Sequence, residues 1–306
     1  MSAPVIVRGN YSDLFGTSML PALEEMFRSE LAMHPSRREQ LFKMVKTERD
    51  IWQSSEVHDM SLMVEIPEGT DYTYTRPRQG ASKTLIPLKY GLGFSISQEA
   101  VDDGKFDFIA DATRKLAKSA RESQEISAMN IFNNGFSSET TADGVALFHA
   151  THTLPSGSSF RNKASSDADL SQSSLDTALA DFDKIFVGDS GIIYRMVPKV
   201  LLCHSDSKRY ARELVGSDLK PDTADNNLNA IKEDGLTVVT SPHLTDTDAW
   251  FVLAEKADTG LRIISRKGIE TKSENSFDND SIKYKTSYRE KIGAIHPYGV
   301  WGTQGA

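Results

Sequence analysis

The 306 residues, 39% hydrophobic and 25% charged, suffice for a sizeable core in one large domain or two, which excludes a disordered chain. No run approaches the roughly 18 to 20 consecutive apolar residues of a membrane span, and the polar start from Met1 to Gly16 lacks the pattern of a secretory leader, so a soluble, non-secreted protein is expected. The formal net charge of -8 repels phosphate and argues against strong direct nucleic-acid binding, while the single Cys203 excludes an internal disulfide and a cysteine-based zinc site.

In chain order, Leu20, Leu23, Phe27 and Leu31 recur at three and four residues, the period of an amphipathic helix, capped by Thr17 or Ser18 and ended by His34 and Pro35. Leu41 to Trp52 is expected as a second, charged helix. From Leu62 to Ser97 the residues turn to β type, with Tyr72 to Thr75 before a tip at Arg76 to Ser82 and Leu85, Ile86, Leu88 and Tyr90 after it. This pattern predicts a long hairpin with too few aliphatic residues to build a core of its own, so it should lean on something else, such as another copy of the chain.

Asp102 and Asp103 then open the strongest helical pattern, from about Lys105 to Asn134 with Gly135 as its stop, about 45 Å long. Phe106, Ile109, Leu116, Ala120, Ile126 and Met129 form its apolar stripe. The glycine- and serine-rich stretch from Ser156 to Ser174 is the candidate boundary between two halves. Beyond it, the pattern predicts a helix at Leu175 to Phe186, a strand at Val197 to Cys203 in which the thiol is buried, and a helix at Ser205 to Leu214 capped by Ser205. Strands follow around Leu236 to Thr240 and Trp250 to Leu253. Finally Ile282, Tyr284, Thr286 and Tyr288 alternate strictly with Lys283, Lys285, Ser287 and Arg289, a half-buried strand with one basic face.

Motifs of chemistry are sparse. Gly188 to Gly191 (GDSG) matches the nucleophile turn of trypsin-like proteases, but the helices expected around it contradict that fold and favour a plain turn. His149 and His152 could offer two metal ligands on a helix. The extended segment expected around Phe148, Leu154 and Pro155 points them to opposite faces instead. Gly91 and Gly93 lack the third glycine of a dinucleotide fingerprint and read as a bulge or bend. No catalytic residue, cofactor or metal site is assigned.

The element order, together with Tyr90 to Glu99 (YGLGFSISQE), Phe132 to Phe136 (FNNGF), Asp143 to His149 (DGVALFH) with His152, and Tyr298 to Gly302 (YGVWG), resembles the Hong Kong 97-type major capsid protein of tailed phages, in the branch of Mu-type head subunits. The resemblance implies an α+β fold with an N-terminal arm at 1–62, an extended E-loop hairpin at 63–97 and a peripheral domain with a long spine helix at 98–164. An axial domain at 165–262 and returning peripheral strands at 263–306 would complete it. Candidate intersubunit contacts are Arg76, Arg78 and Lys83 at the loop tip, where guanidinium groups suit carboxylates, and the basic face of Lys283, Lys285 and Arg289. Relatives that crosslink a loop lysine to an asparagine would cast Lys83 with Asn275 or Asn279, although no matching motif accompanies them.

The function so implied is a shell subunit that assembles into hexamers and pentamers of a phage head, catalyses nothing and encloses double-stranded DNA without sequence-specific binding. Scaffolding, portal and decoration proteins would be its partners, and the host bacterial cytoplasm its place of assembly, with no membrane involved. The alternatives are an encapsulin-like nanocompartment shell, which would enclose protein, and a soluble hydrolase using Ser190 or the histidine pair, which would sediment as a small oligomer and lose activity on Ser190→Ala.

Overall fold

A computed structural model describes residues 19–57, 60–75, 79–97, 99–100, 103, 106–219, 228–276 and 281–306. In chain order it holds α1 (Met19–Met33), α2 (Arg38–Leu41), β1 (Lys43–Lys46), β2 (Trp52–Val57), β3 (Gln79–Leu85), β4 (Leu88–Ser97) and α3 (Phe106–Asn133). Next come β5 (His152–Thr153), β6 (Ser159–Phe160), α4 (Gln172–Phe182), β7 (Pro198–His204), α5 (Lys208–Gly216), β8 (Thr237–Ser241) and β9 (Trp250–Ala254). The chain closes with β10 (Leu261–Ser276), β11 (Ser281–Ala294) and β12 (Val300–Thr303). It forms two compact units: the described parts of Met1–Ser36, Leu88–Gln124 and Lys267–Glu290, and those of Arg37–Pro87, Glu125–Arg266 and Lys291–Ala306.

In the first unit the stripe of α1 meets that of α3. Leu23 and Phe27 pack with Ile109, Leu116, Ala117 and Ala120, and Ile96 and Tyr284 join from β4 and β11. Polar bonds secure the contact: Arg121 donates to the Leu31 carbonyl at 3.3 Å, and Gln124 to the Glu290 carboxylate at 3.3 Å. β4 and β11 run antiparallel from Ser97↔Ser281 to Leu88↔Glu290 without a register shift. Gly91 and Gly93 therefore mark no bulge, contrary to the reading of the sequence. They mark a close approach, since a Cβ on Gly93 would lie 2.7 Å from the Tyr284 carbonyl oxygen and 2.8 Å from the Lys285 Cβ.

The second unit is built on a sheet of order β12-β9-β7-β8. Alternation divides its side chains between two cores. Val200 and Leu202 of β7 and Phe251 and Leu253 of β9 enter one with Phe42, Phe132, Leu147 and Phe148. Leu201, Cys203, Trp250 and Val252 enter the other with Leu175, Phe182, Phe186 and Trp301. A sheet covered on both faces needs apolar residues at consecutive positions, and the runs VLLC and WFVL supply them. Each fully buried large side chain contributes roughly 1.5–3 kcal/mol. Ser171 caps α4 in a reciprocal box with Ser174.

Several expectations change. The stretch from Leu41 to Trp52 is not a helix: after the single turn of α2, β1 pairs in parallel with β10 from Lys43↔Arg262 to Lys46↔Ser265. Here ladder hydrogen bonds override the helical preference of the charged residues. The hairpin of Leu62 to Ser97 is also repartitioned. β3 pairs with the earlier β2, from Trp52↔Leu85 to Val57↔Gln79, whereas β4 pairs with β11. Pro87 separates β3 from β4, because it has no N–H to continue a ladder. Among the described residues, 60–75 carry no ladder; Thr70 N–H donates to the Pro67 carbonyl at 3.2 Å in a turn, and the Ser61 and Thr75 hydroxyls meet at 3.0 Å.

α5 begins at Lys208, with Ser207 and not Ser205 at its cap position. The stretch from Ser156 to Ser174 is tied down within the second unit, with Ala164 N–H donating to the Gly302 carbonyl at 3.1 Å and Ala168 N–H to Thr303 at 3.3 Å. Along α3, Ile109, Leu116, Ala120 and Met129 are buried as the stripe predicts, but Ile126 is 43% exposed and Phe108 70%. Phe132→Ala should therefore cost about 3–5 kcal/mol and Ile126→Ala no more than about 0.5 kcal/mol in urea unfolding of the unassembled subunit. Equal losses would show that this assignment of the helix faces is wrong.

Candidate contact surfaces and buried histidines

Arg76 and Arg78 lie outside the described residues. Lys83 does not stand free at a tip: its side chain is 19% exposed, its Nζ donates to the Thr140 carbonyl, and Glu139 lies 3.8 Å away. It anchors the base of the β2–β3 arm to its own chain. Asn275 and Asn279 cannot be set against it, since neither side chain is among those described. Beyond that base, residues 60–75 expose Met60, Leu62, Met63, Val64, Tyr72 and Tyr74 together with Glu65, Glu68 and Asp71. Exposed apolar side chains gathered in one segment in this way make it a candidate contact surface.

The basic face of β11 forms as its alternation predicts. Ile282, Tyr284, Thr286 and Tyr288 are buried, Lys283 and Lys285 are exposed, and Arg289 is half-buried. The register sets Arg289 beside Lys89, Ser287 beside Gly91, Lys285 beside Gly93 and Lys283 beside Ser95. On the opposite face Tyr90 stacks on Tyr288 at 5.2 Å and Phe94 tilts against Tyr284 at 5.7 Å, cross-strand pairs that hold the register. Lys267 and Lys272 of β10 complete a groove of about 810 Å³. Reading the sequence missed Lys89, Lys267 and Lys272. The first carries a signal, its two-residue spacing from Gly91 and Gly93; the other two join only through strand pairing.

In the second unit His152, 1% exposed, faces two acceptors. Its Nδ1 lies 2.6 Å from the Asp143 carboxylate and its Nε2 3.0 Å from Asn162 Oδ1. The Asn162 amide is oriented independently: Nδ2 donates to the Leu147 and Pro297 carbonyls at 2.6 and 3.2 Å, and Oδ1 accepts from His149 N–H at 2.9 Å. The ring thus bridges Asp143 and Asn162. The expectation that His149 and His152 point apart is corrected. Their rings meet edge to face at 6.0 Å, because His149 Nδ1 turns back to its own segment at Thr151.

Among the described residues no group of three His, Cys, Asp or Glu is arranged to hold a metal ion, and no helix is long and apolar enough to cross a membrane. The GDSG stretch is a turn, with Gly191 at φ +78°, its N–H donating to the Gly188 carbonyl, and Asp189 accepting from Ser156 N–H at 2.7 Å. Burial pushes the Cys203 thiol up to about 11, so it stays protonated in the core.

Burial, with the charge of Arg262 added, pushes His296 down from 6.5 to about 4, and its Nδ1 is buried without a hydrogen-bond partner. Between those pH values the unfolded ring binds a proton that the folded ring refuses, so stability falls as pH drops across that window. Asp143 behaves differently. Burial raises its carboxyl, but bonds from His152, Thr141 and the Val145 amide and the charge of His152 outweigh it and hold the group below 3.8. That contribution is present above 3.8 and is lost only as pH falls below it. In thermal unfolding against pH, His296→Gln should flatten the slope between 6.5 and about 4. Asp143→Asn should lower the midpoint at neutral pH, with the deficit vanishing below 3.8; unchanged profiles would refute both assignments.

The model of the family described as phage capsid protein matches residues 82–302. No curated protein matches. Among solved structures, the virus-like particle from Pyrococcus furiosus is similar at a TM-score of 0.56 and 11% identity, over 94% of this chain and 100% of that one. Microbacterium phage Oxtober96 gives 0.56 and 11% over 89% and 92%. The capsid of Cyanophage P-SCSP1u gives 0.58 and 10% over 89% and 88%. These likenesses identify the fold as the α+β, Hong Kong 97-type capsid fold. With a family match over most of its length, the chain belongs to the phage capsid proteins and is a structural subunit of the phage head shell.

Proposed function

We propose that this subunit builds the icosahedral head of a tailed phage as hexamers and pentamers, encloses double-stranded DNA, and belongs to the Mu-type branch of head proteins. The observation that carries the assembly reading is the segment at residues 60–75, which exposes six large apolar side chains and, among the described residues, has no ladder partner. Laid across a sister subunit, such a segment buries apolar surface that is otherwise left in water, and the same contact repeated around a closed ring adds up to a stable shell. The Mu-type assignment is supported by the order of the short runs at Tyr90, Phe132, Asp143 and Tyr298.

In this reading the axial domain is 165–262 and the peripheral domain combines 98–164 with 263–306. Lys267–Glu290 shares a compact unit with Leu88–Gln124, which supports it, and 165–262 falls wholly within the other, although that unit also takes in 125–164 and 291–306. With β4 paired to β11 and β3 to β2, the part of the extended loop that reaches outward in this reading is residues 60–75. Assembly takes place in the host bacterial cytoplasm with scaffolding and portal proteins, and with decoration proteins on the finished head. The mechanism is assembly, with no catalytic step.

An encapsulin-like shell is the second reading, favoured by the full-length likeness to the Pyrococcus furiosus particle. Electron microscopy and sedimentation of the expressed chain, alone and with its phage partners, test both. Shells or ring-shaped capsomers are expected, and replacing residues 60–75 by a short glycine–serine linker should leave a folded subunit that builds neither. Nucleic acid inside supports the phage reading and enclosed protein the second; a stable monomer with Ser190-dependent turnover would overturn both.

A further inference from the structure

We propose that the groove over β4, β10 and β11 binds the phosphate backbone of double-stranded DNA without reading its sequence. The inference rests on the reading of the shell as a container for DNA and goes beyond it by naming the contact. The net charge of -8 is a sum over the whole chain and hides a strongly positive patch. Lys89, Lys267, Lys272, Lys283, Lys285 and Arg289 line one concavity against a single carboxylate, Glu270, which lies 3.5 Å from Lys267. Among the described residues the other five cations have no ion-pair partner, and Arg289 Nε is buried without a hydrogen bond.

The composition of this face separates a nucleic acid from an acidic protein segment. Opposed across β4 and β11 are Lys89 and Arg289, Gly91 and Ser287, Gly93 and Lys285, and Ser95 and Lys283, with Leu92, Phe94, Tyr284 and Tyr288, which alternate with them along the strands, also bordering the groove. Protein interfaces favour aromatic residues at their centre and deplete lysine, whereas DNA interfaces are polar and strongly positive. Between the cations, a floor of two glycines and two serines carries no bulky side chain. It does give a phosphate chain close access to the lysines beside it.

The spacing also fits. Side chains two apart on a strand stand roughly 6.8 Å from one another. Phosphates along one strand of a duplex advance about 3.4 Å per nucleotide along the axis and also wind around it, so neighbouring phosphates stand roughly 7 Å apart, which Lys283 and Lys285 match.

The test is titration of the purified full-length subunit with a labelled random-sequence duplex of about 20 base pairs, read by fluorescence anisotropy. If all five unpaired cations engage, affinity should fall about 500-fold between about 50 and about 200 mM salt. Lys283→Ala/Lys285→Ala should lower the log–log salt slope by about 1.8, and the exposed pair Lys115→Ala/Lys118→Ala on α3 should leave it unchanged. Absence of salt-dependent binding, an equal slope in the groove variant, or capture of a peptide of residues 60–75 in place of the duplex would overturn the assignment. Shells that still form in that case leave the assembly reading standing; failure of the wild-type chain to form shells counts against the assembly reading instead.

Discussion

The second unit depends on one constraint: the pairing of β7 with β9, both of which are buried on both faces. Because side chains alternate along a strand, Leu202 and Phe251 feed one core while Leu201 and Trp250 feed the other. The two cores are thus stabilised through the same few backbone hydrogen bonds. Around the first core the rings of Phe42, Phe132, Phe148 and Phe251 stand at edge, tilted and stacked angles with centroids 5.0 to 6.5 Å apart. Aromatic pairs favour such offset geometries over face-to-face sandwiches.

The first unit solves a different problem with the same alternation. One face of β11 contributes Tyr284 to the apolar contact of α1 with α3, and the other holds its lysines in water. The close approach at Gly91 and Gly93 lets β4 carry side chains on its apolar face while leaving the charged face bare at its middle. A capsid subunit must fold as a stable body and still leave surfaces unsatisfied until its neighbours arrive. Here the stable part is the pair of packed sheets and helices. The unsatisfied parts are the exposed arm at residues 60–75 and the cationic groove, which differ in chemistry and therefore suit different partners.

The histidines show how burial chooses function within one structure. His152 is held between a carboxylate and an oriented amide oxygen, so both of its ring nitrogens have partners. His296 is enclosed without a partner for Nδ1 and with Arg262 nearby, so its surroundings refuse charge. Neither environment is visible in the spacing of histidines along the chain, because Asp143, Asn162 and Arg262 reach these rings only through folding.

What the sequence determined by itself were the features with a strong local period: the stripe of α1, the length of α3, the apolar runs of β7 and β9, and the two-faced alternation of β11. Each is a repeat that one helix or strand imposes on its own neighbours in the chain, and the short runs from Tyr90 to Gly302 were enough to point to the family. Only the tertiary structure decided which strands pair. Leu41 to Trp52 became strand because β10 offered it a ladder, β3 chose β2 over β4, and Lys83 closed on Thr140 and Glu139. Such choices depend on hydrogen-bond partners tens to hundreds of residues away, and no local period records them.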